Sequence, residues 1–164
     1  MGQARSLPVY GGGIDVKQIR QSGLDFADGP LSYSVPLHIK REWVNTGTVH
    51  SCWFRREKDR AAPAVLYLHG GGYVCGSVEA SRGIAASLAA NLRAPVLVVN
   101  YRQGPEDPYP AGIEDIQAAY RWLLGETGQA VTIVGDSVGG AHAIGMARLT
   151  RQGADYAERV AQSR

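Results

Sequence analysis

The sequence predicts an α/β fold with three layers, in which helices cover both faces of a mostly parallel sheet. Three continuous apolar runs carry this prediction, at residues 64–68, 96–99 and 131–134. Runs of this length and composition are typical of strands that are buried on both faces. Helical patterns lie between and after them, so strand and helix alternate as they do in right-handed βαβ units.

Composition places the chain among globular proteins. The 164 residues are 45% hydrophobic and 20% charged, with a formal net charge of +2. This length fits a single domain, and the balance excludes disorder, collagen and coiled coil as descriptions of the whole chain. Because charges of both signs are interspersed, no basic face indicates a nucleic-acid partner and no polybasic run indicates a lipid surface.

The sequence pattern contains no targeting signal. The N-terminal residues 1–13 contain no apolar stretch typical of a secretory signal, and no apolar run approaches the ~20 residues that span a bilayer. Cys52 and Cys75 are too few for a disulfide framework and are interpreted as reduced thiols. We therefore expect a cytoplasmic protein without a transmembrane segment.

Three regions are predicted along the chain. Residues 1–35 form an N-terminal segment, in which 14–27 fit a helix that ends at Gly29-Pro30. Residues 36–153 form the α/β core. Residues 154–164 form a polar helical tail after a helical stretch at 141–151.

The core begins with two strand-like runs. They lie at 35–44 and 49–54, and the turn residues Asn45-Thr46-Gly47 stand between them. A turn this short predicts an antiparallel hairpin. The helices that follow are indicated by apolar residues three or four positions apart, which are Ile84, Leu88 and Leu92 in one set and Ile113, Ile116, Tyr120 and Leu123 in the other.

The motif Gly135-Asp136-Ser137-Val138-Gly139-Gly140 stands between the last buried strand and a helix. In that context G-x-S-x-G indicates a nucleophilic serine. A turn this sharp leaves no room for side chains beside the serine and forces Ser137 into a strained backbone. Ser137 then projects over the sheet edge, and the Val138 amide points at a developing oxyanion. The alternative is an ordinary capping serine in a glycine-rich turn.

A second glycine-rich motif, His69-Gly70-Gly71-Gly72-Tyr73, directly follows the first buried strand. Amides that no side chain covers can approach a substrate carbonyl closely and complete an oxyanion hole. The alternative is a flexible turn. Because ligands bind at the carboxyl ends of parallel strands, we expect this loop and the Ser137 turn to meet at one edge of the sheet.

A proline-rich loop, residues 101–111, follows the second buried strand. Three prolines restrict its backbone, so it is interpreted as a rigid scaffold that braces the active-site face. We expect an ion pair between Arg102 and Glu106 to lock it.

The three motifs, in this order and at this spacing, resemble the hormone-sensitive-lipase-like family, the bacterial family IV carboxylesterases of the α/β-hydrolase superfamily. The resemblance covers about residues 35–153. It implies an α/β-hydrolase fold, with Ser137 as the nucleophile and the backbone amides of Gly71, Gly72 and Val138 as oxyanion donors. The other motif and pocket positions that it implies are His69, with a structural hydrogen-bonding role, Gly70, Tyr73 at the mouth of the site, Gly135, Asp136 and Gly139.

The resemblance further implies a serine esterase or lipase-like enzyme that acts on a small acyl ester through an acyl-enzyme. It gives the N-terminal segment a role in a cap over the acyl pocket. We expect no cofactor, since no metal-ligand spacing or phosphate loop is visible in the sequence. The chain departs from the family pattern at Val138, where alanine is usual, and in the proline-rich loop at Gln103, Gly104 and Asp107.

The acid and the histidine of a catalytic triad are expected after the serine, but only residues 138–164 follow Ser137. On an ideal helix His142 lies about 140° around the axis and ~7.5 Å along it from Ser137, beyond the ~3 Å reach of a general base. We therefore predict that neither partner is in this chain. Asp155 and Glu158 are the acidic residues in this stretch.

A chain without these partners is expected to be the N-terminal half of a longer enzyme, truncated after the helix that follows the serine. Such a chain is predicted to have little or no turnover alone. The alternative is a non-catalytic protein that binds a small ligand on the same scaffold. The sequence leaves the oligomeric state open.

Overall fold

The computed structural model describes residues 15–29 and 33–162. The parts of the predicted N-terminal segment at 1–14 and 30–32, and the last two residues of the predicted tail, lie outside this range. The described strands are β1 (Lys40–Thr46), β2 (Val49–Arg55), β3 (Val65–Leu68), β4 (Val96–Val99) and β5 (Thr132–Gly135). The described helices are α1 (Val16–Asp28), a 3-10 turn (Glu57–Asp59), α2 (Arg82–Leu92), α3 (Ala111–Thr127) and α4 (Val138–Gln162).

The strands form one sheet in the order β1-β2-β4-β3-β5. β1 and β2 form the predicted antiparallel hairpin, and β2 also pairs antiparallel with β4. β3 lies parallel between β4 and β5. The sheet is therefore mixed within the described residues, and its parallel part carries the strands that the three buried runs predicted.

Side chains alternate along each strand and build a core on both faces of the sheet. One core contains Leu66, Leu97 and Ile116, together with Met146 of α4. The other contains Tyr67, Val98 and the alanines of α2. α3 and α4 therefore cover one face and α2 covers the other, which confirms the three-layer α/β prediction.

Two boundaries differ from the predictions. β1 begins at Lys40, because residues 37–39 run as a turn and a bend before the strand. α4 is one helix from Val138 to Gln162, so residues 154–162 continue it instead of forming a separate tail. Gly153 does not interrupt this helix, since a single interior glycine weakens a helix by only about 1 kcal/mol. None of the described helices is long and apolar enough to cross a bilayer.

Candidate active site

Ser137 occupies the turn between β5 and α4 with a φ of 51°, in the left-handed region that a residue with a Cβ rarely adopts. Ser137 is exposed to solvent. A Cβ added to Gly135 would lie 2.2 Å from the carbonyl oxygen of Gly139, and one added to Gly139 would lie 1.9 Å from that of Leu68. Both flanking positions therefore require glycine, and the turn is held in the strained form that the motif predicted.

Asp136 joins this turn to the end of β3. Its Oδ1 accepts a hydrogen bond from the Tyr67 hydroxyl at 2.6 Å and another from the Gly70 amide at 3.0 Å. Burial raises the pKa of Tyr67, and its hydrogen bond to Asp136 raises it further, so this hydroxyl stays a donor at neutral pH. A Cβ on Gly70 would lie 3.1 Å from the Cβ of Ser137, which places the two glycine-rich loops in contact.

The glycine loop itself has an unusual backbone. Gly71 has a φ of 132° and Gly72 a φ of 61°, and Tyr73 follows with a φ of 66°. The carbonyl of Gly71 accepts from the amides of Val74 at 3.1 Å and Cys75 at 2.9 Å. Within residues 15–29 and 33–162, the amides of Gly71, Gly72 and Val138 donate to no protein acceptor.

His69 stabilises this loop through its hydrogen bonds. Its Nδ1 donates to the Gly70 carbonyl at 2.8 Å, and its own carbonyl accepts from the Tyr101 hydroxyl at 2.6 Å. The two rings stack with centroids 4.4 Å apart. Burial lowers the pKa of His69, so the ring is neutral, and its buried Nε2 has no partner in the described part of the chain.

The prediction of an ion pair between Arg102 and Glu106 is wrong. Arg102 donates instead to Asp115 of α3, from Nε to Oδ2 at 2.9 Å, and its backbone amide binds the same oxygen at 2.8 Å. Asp115 is only 2% exposed. A buried carboxylate requires a charged and hydrogen-bonded partner, and this requirement decides the direction of the Arg102 side chain.

Glu106 pairs with Arg20 of α1, at 2.8 Å between Oε2 and Nη2. Arg20 also donates to the carbonyls of Val74 at 2.8 Å and Gly104 at 3.0 Å. The guanidinium lowers the pKa of Glu106 to about 2. One residue of the N-terminal segment thus contacts both the glycine loop and the proline-rich loop. The sequence carries no signal for this contact, because 86 positions separate the two residues.

His142 of α4 lies in an aromatic cluster. Its ring makes edge-to-face contacts with Tyr73, at 5.3 Å between centroids, and with Tyr101, at 5.2 Å. No hydrogen bond joins His142 to Ser137 in the described structure. Burial lowers the pKa of His142, so the imidazole is neutral. That His142 is not the general base stays a prediction.

A cavity of about 480 Å³ adjoins the glycine loop and the first turns of α3 and α4. Tyr73 and His142 form one wall, and Pro108, Tyr109 and Ile113 form much of the rest. Its size lies within the range of roughly 300–1,000 Å³ that is usual for small-molecule sites. In the part of the chain that the structure describes, no group of three or more potential metal ligands converges.

Comparison with known proteins agrees with this geometry. A family model described as the alpha/beta hydrolase fold matches residues 65–162. The chain belongs to the α/β-hydrolase fold family. It is 41% identical over 95 residues to carboxylesterase NlhH of Mycobacterium tuberculosis (strain CDC 1551 / Oshkosh), an alignment that covers 54% of this chain and 30% of that protein.

The relatives also include members of the hormone-sensitive-lipase family, which confirms the resemblance drawn from the three motifs. Hormone-sensitive lipase of Bos taurus is 35% identical over 91 residues, covering 52% of this chain and 12% of the lipase. A crystal structure of an esterase/lipase from an uncultured bacterium aligns with a TM-score of 0.76 and 33% identity, covering 91% of this chain and 50% of that one. This α/β-hydrolase chain therefore spans about half the length of that structure and about a third of NlhH.

Proposed function

We propose that this α/β-hydrolase chain carries the nucleophile and the oxyanion hole of a serine carboxylesterase that acts on small acyl esters. One observation carries the proposal: Ser137, at a φ of 51°, lies beside a glycine loop in which the Gly71 and Gly72 amides have no acceptor in the described protein. Esterases among the relatives support the reaction class.

In this reaction the Oγ of Ser137 forms a bond to the carbonyl carbon of the ester, and the carbonyl oxygen takes the negative charge. The amides of Gly71, Gly72 and Val138 are the donors proposed for that oxygen. A single donor of this kind is worth about 10²–10³ in kcat in other hydrolases. The bond to the alcohol then breaks, the alcohol leaves with a proton, and water hydrolyses the acyl-enzyme to the acid and free Ser137.

The other motif residues keep this arrangement in place. Gly135 and Gly139 allow the turn, Asp136 ties it to Gly70, and His69 holds the carbonyl side of the glycine loop. Tyr73 borders the cavity. None of these side chains supplies the base that must accept the Ser137 proton, so we propose that the triad acid and histidine are not among the residues of this chain.

We also propose that the N-terminal segment contributes to a cap over the site. The contacts of Arg20 with the Val74 and Gly104 carbonyls support this role, because they attach α1 to the rim of the cavity. A cytoplasmic location is proposed on the ground that Cys52 and Cys75 are free thiols.

Covalent labelling tests the proposal. The 164-residue chain is incubated with excess fluorophosphonate, and the modified peptide is identified by mass spectrometry. Enzymes that lose triad members retain some catalysis from the oxyanion hole and binding alone, so we expect slow labelling at Ser137. Labelling should disappear in Ser137→Ala and persist in Ser87→Ala, which removes a hydroxyl on α2.

Three outcomes would contradict parts of the proposal. Labelling that is no faster at Ser137 than at other serines removes the case for a nucleophile, and binding of an ester without such labelling favours a non-catalytic binding protein. Rapid turnover of p-nitrophenyl acetate that Ser137→Ala abolishes would instead show that this chain supplies its own base.

A further inference from the structure

One polar side chain that lines the cavity beside the glycine loop makes no hydrogen bond to the rest of the site. His142 is 9% exposed and lines the cavity, yet neither of its ring nitrogens makes a hydrogen bond to any described residue. Burial is the cause of its lowered pKa. A neutral imidazole presents one N–H donor and one bare nitrogen acceptor.

Three other polar side chains of the cavity wall are already engaged. The Arg102 guanidinium binds Asp115, the side-chain amide of Gln103 donates to the Gly76 carbonyl at 2.9 Å, and the Tyr101 hydroxyl donates to the His69 carbonyl at 2.6 Å. Tyr109 is 87% exposed, so its ring lies at the rim. His142 is thus a largely enclosed side chain whose ring nitrogens have free hydrogen-bonding capacity towards the cavity.

The position of the cavity connects it to the proposed nucleophile. Ala141 lines the cavity, and its amide donates to the Ser137 carbonyl at 3.3 Å. Tyr73, which also lines the cavity, directly follows Gly72 in the chain. Ala141 thus lies about one helical turn along the chain from the residue that would attack the ester.

The ring of His142 is also fixed in direction. Edge-to-face contacts with Tyr73 and Tyr101 hold its plane from two sides. A donor or acceptor that is held in place adds affinity for a ligand that offers it a hydrogen-bonding partner. A preorganised imidazole therefore discriminates between ligands that offer a hydrogen-bonding atom and ligands that do not.

We infer that this cavity binds one arm of the ester and that His142 selects an arm carrying a hydroxyl group or a similar hydrogen-bonding atom. The inference rests on the proposed function, because it assigns the cavity to the same substrate. The hydroxyl belongs either to the acyl arm or to the alcohol arm, and the two sources are separable by experiment.

The test is a binding titration with the 164-residue chain and three probes. Ethyl butyrate has no hydroxyl, ethyl 3-hydroxybutyrate has one on the acyl arm, and 2-hydroxyethyl butyrate has one on the alcohol arm. NMR of the His142 ring proton, assigned by its loss in His142→Phe, reports binding in the cavity. We expect one hydroxylated ester to bind about 3- to 10-fold more tightly than ethyl butyrate, the value of one neutral hydrogen bond.

Three variants show which residue makes the selection. His142→Phe keeps an aromatic ring against Tyr73 and Tyr101 and should abolish the preference. His142→Gln keeps donor and acceptor groups and should retain part of it, and circular dichroism checks that both variants fold. Asn91→Ala alters an exposed polar residue of α2 that does not line the cavity and should leave the preference unchanged.

The inference is overturned if neither hydroxylated ester binds more tightly than ethyl butyrate, or if the preference survives in a folded His142→Phe. Because the titration measures binding, it separates this inference from the proposed function. An adduct at Ser137 without a hydroxyl preference contradicts the inference alone. A preference that depends on His142, with no selective adduct at Ser137, supports the inference and contradicts the nucleophile.

Discussion

β3 and β5 are neighbouring parallel strands that each lead into a glycine-rich loop, but they are buried very differently. All four residues of β3 are buried. In β5, Thr132 is exposed and the other three residues are half-buried. β3 has a hydrogen-bonded neighbour on each side, whereas β5 is the last strand of the described sheet.

The difference shows where the serine turn obtains its rigidity. β5 lacks the burial that holds β3, yet Ser137 keeps a strained backbone. The turn is held by contacts with the end of β3, through Gly139 packed on the Leu68 carbonyl and Asp136 bonded to Tyr67 and Gly70. Strained residues persist only where their surroundings over-determine them, and here the neighbouring strand supplies that constraint.

The largest loss of stability should come from adding a side chain where the serine turn packs against the end of β3. Gly139→Ala places a Cβ 1.9 Å from the Leu68 carbonyl oxygen. The atoms that this Cβ meets belong to the backbone of Leu68 and His69, so the turn must separate from the strand. We expect a loss of more than about 3 kcal/mol in the free energy of unfolding, measured by urea denaturation with circular dichroism.

A matched control lies on the same helix. Gly145 has nothing within 4 Å of an added Cβ, so Gly145→Ala should stabilise α4 by about 0.5–1 kcal/mol. If Gly139→Ala were as harmless as this control, β3 would not be what holds the serine turn.

A comparable or smaller effect is expected from paired core truncations on the two strands. Leu66 and Ile133 are register partners, but Leu66 is 0% exposed whereas Ile133 is half-buried. Leu66→Ala should therefore cost about 3–5 kcal/mol and Ile133→Ala about 1–2 kcal/mol, in the same denaturation experiment. Equal costs would mean that β5 is as well covered in solution as β3.

Removing the hydrogen bond between the strands should have a more modest effect. Tyr67→Phe deletes the donor to Asp136 and should cost about 1–2 kcal/mol at neutral pH. Tyr120→Phe, which removes a hydroxyl from a half-buried side chain of α3, is the control and should cost less. An unchanged unfolding midpoint for Tyr67→Phe would show that the Gly70 amide alone holds Asp136.

The same hydroxyl predicts a dependence on alkaline pH. Burial raises the pKa of Tyr67 in the folded chain, so its stabilisation is complete below the unfolded pKa of about 10 and is lost as pH rises above that value. Thermal unfolding between pH 8 and pH 12 should show a shallower alkaline loss in Tyr67→Phe than in the unaltered chain.

The smallest effect is expected where the N-terminal helix contacts the proline-rich loop that follows β4. Glu106 is exposed and has a pKa of about 2 because of Arg20, so its stabilisation is present above the unfolded value of about 4.3 and is lost as pH falls towards 2. Glu106→Gln should leave the unfolding midpoint nearly unchanged at pH 7, apart from the small loss of a surface ion pair. It should flatten the acid side of the profile, and a large change at pH 7 would show that the fold depends on the contact between α1 and this loop.

The sequence anticipated the strands and the chemically interesting loops for a local reason. The conformation of an apolar run or of a glycine-flanked serine depends on only a few neighbouring residues, since burial on both faces and backbone crowding act over one strand or one turn. The glycines at 135 and 139 and the strained Ser137 were predictable in this way. The roles of Ser137, Gly71, Gly72 and Val138 in catalysis stay predictions until the labelling experiment is done.

The pairings between distant side chains were not predictable. Arg102 and Glu106 are four positions apart and were expected to pair, but each found a partner on a helix, at Asp115 and at Arg20. The sequence does not specify which way a side chain in a loop points. Packing against α3 and α1 decides that direction for Arg102 and Glu106.

The sequence by itself determined the alternation of strands and helices and the position of the serine turn, because both follow from short-range sterics and hydrophobic periodicity. Only the tertiary structure decided that Asp136 joins two strands, that Arg20 attaches α1 to the glycine loop, and that His142 faces a cavity. Each of these contacts unites residues that lie far apart along the chain. Their geometry therefore exists only after the sheet has brought its strand ends to one edge.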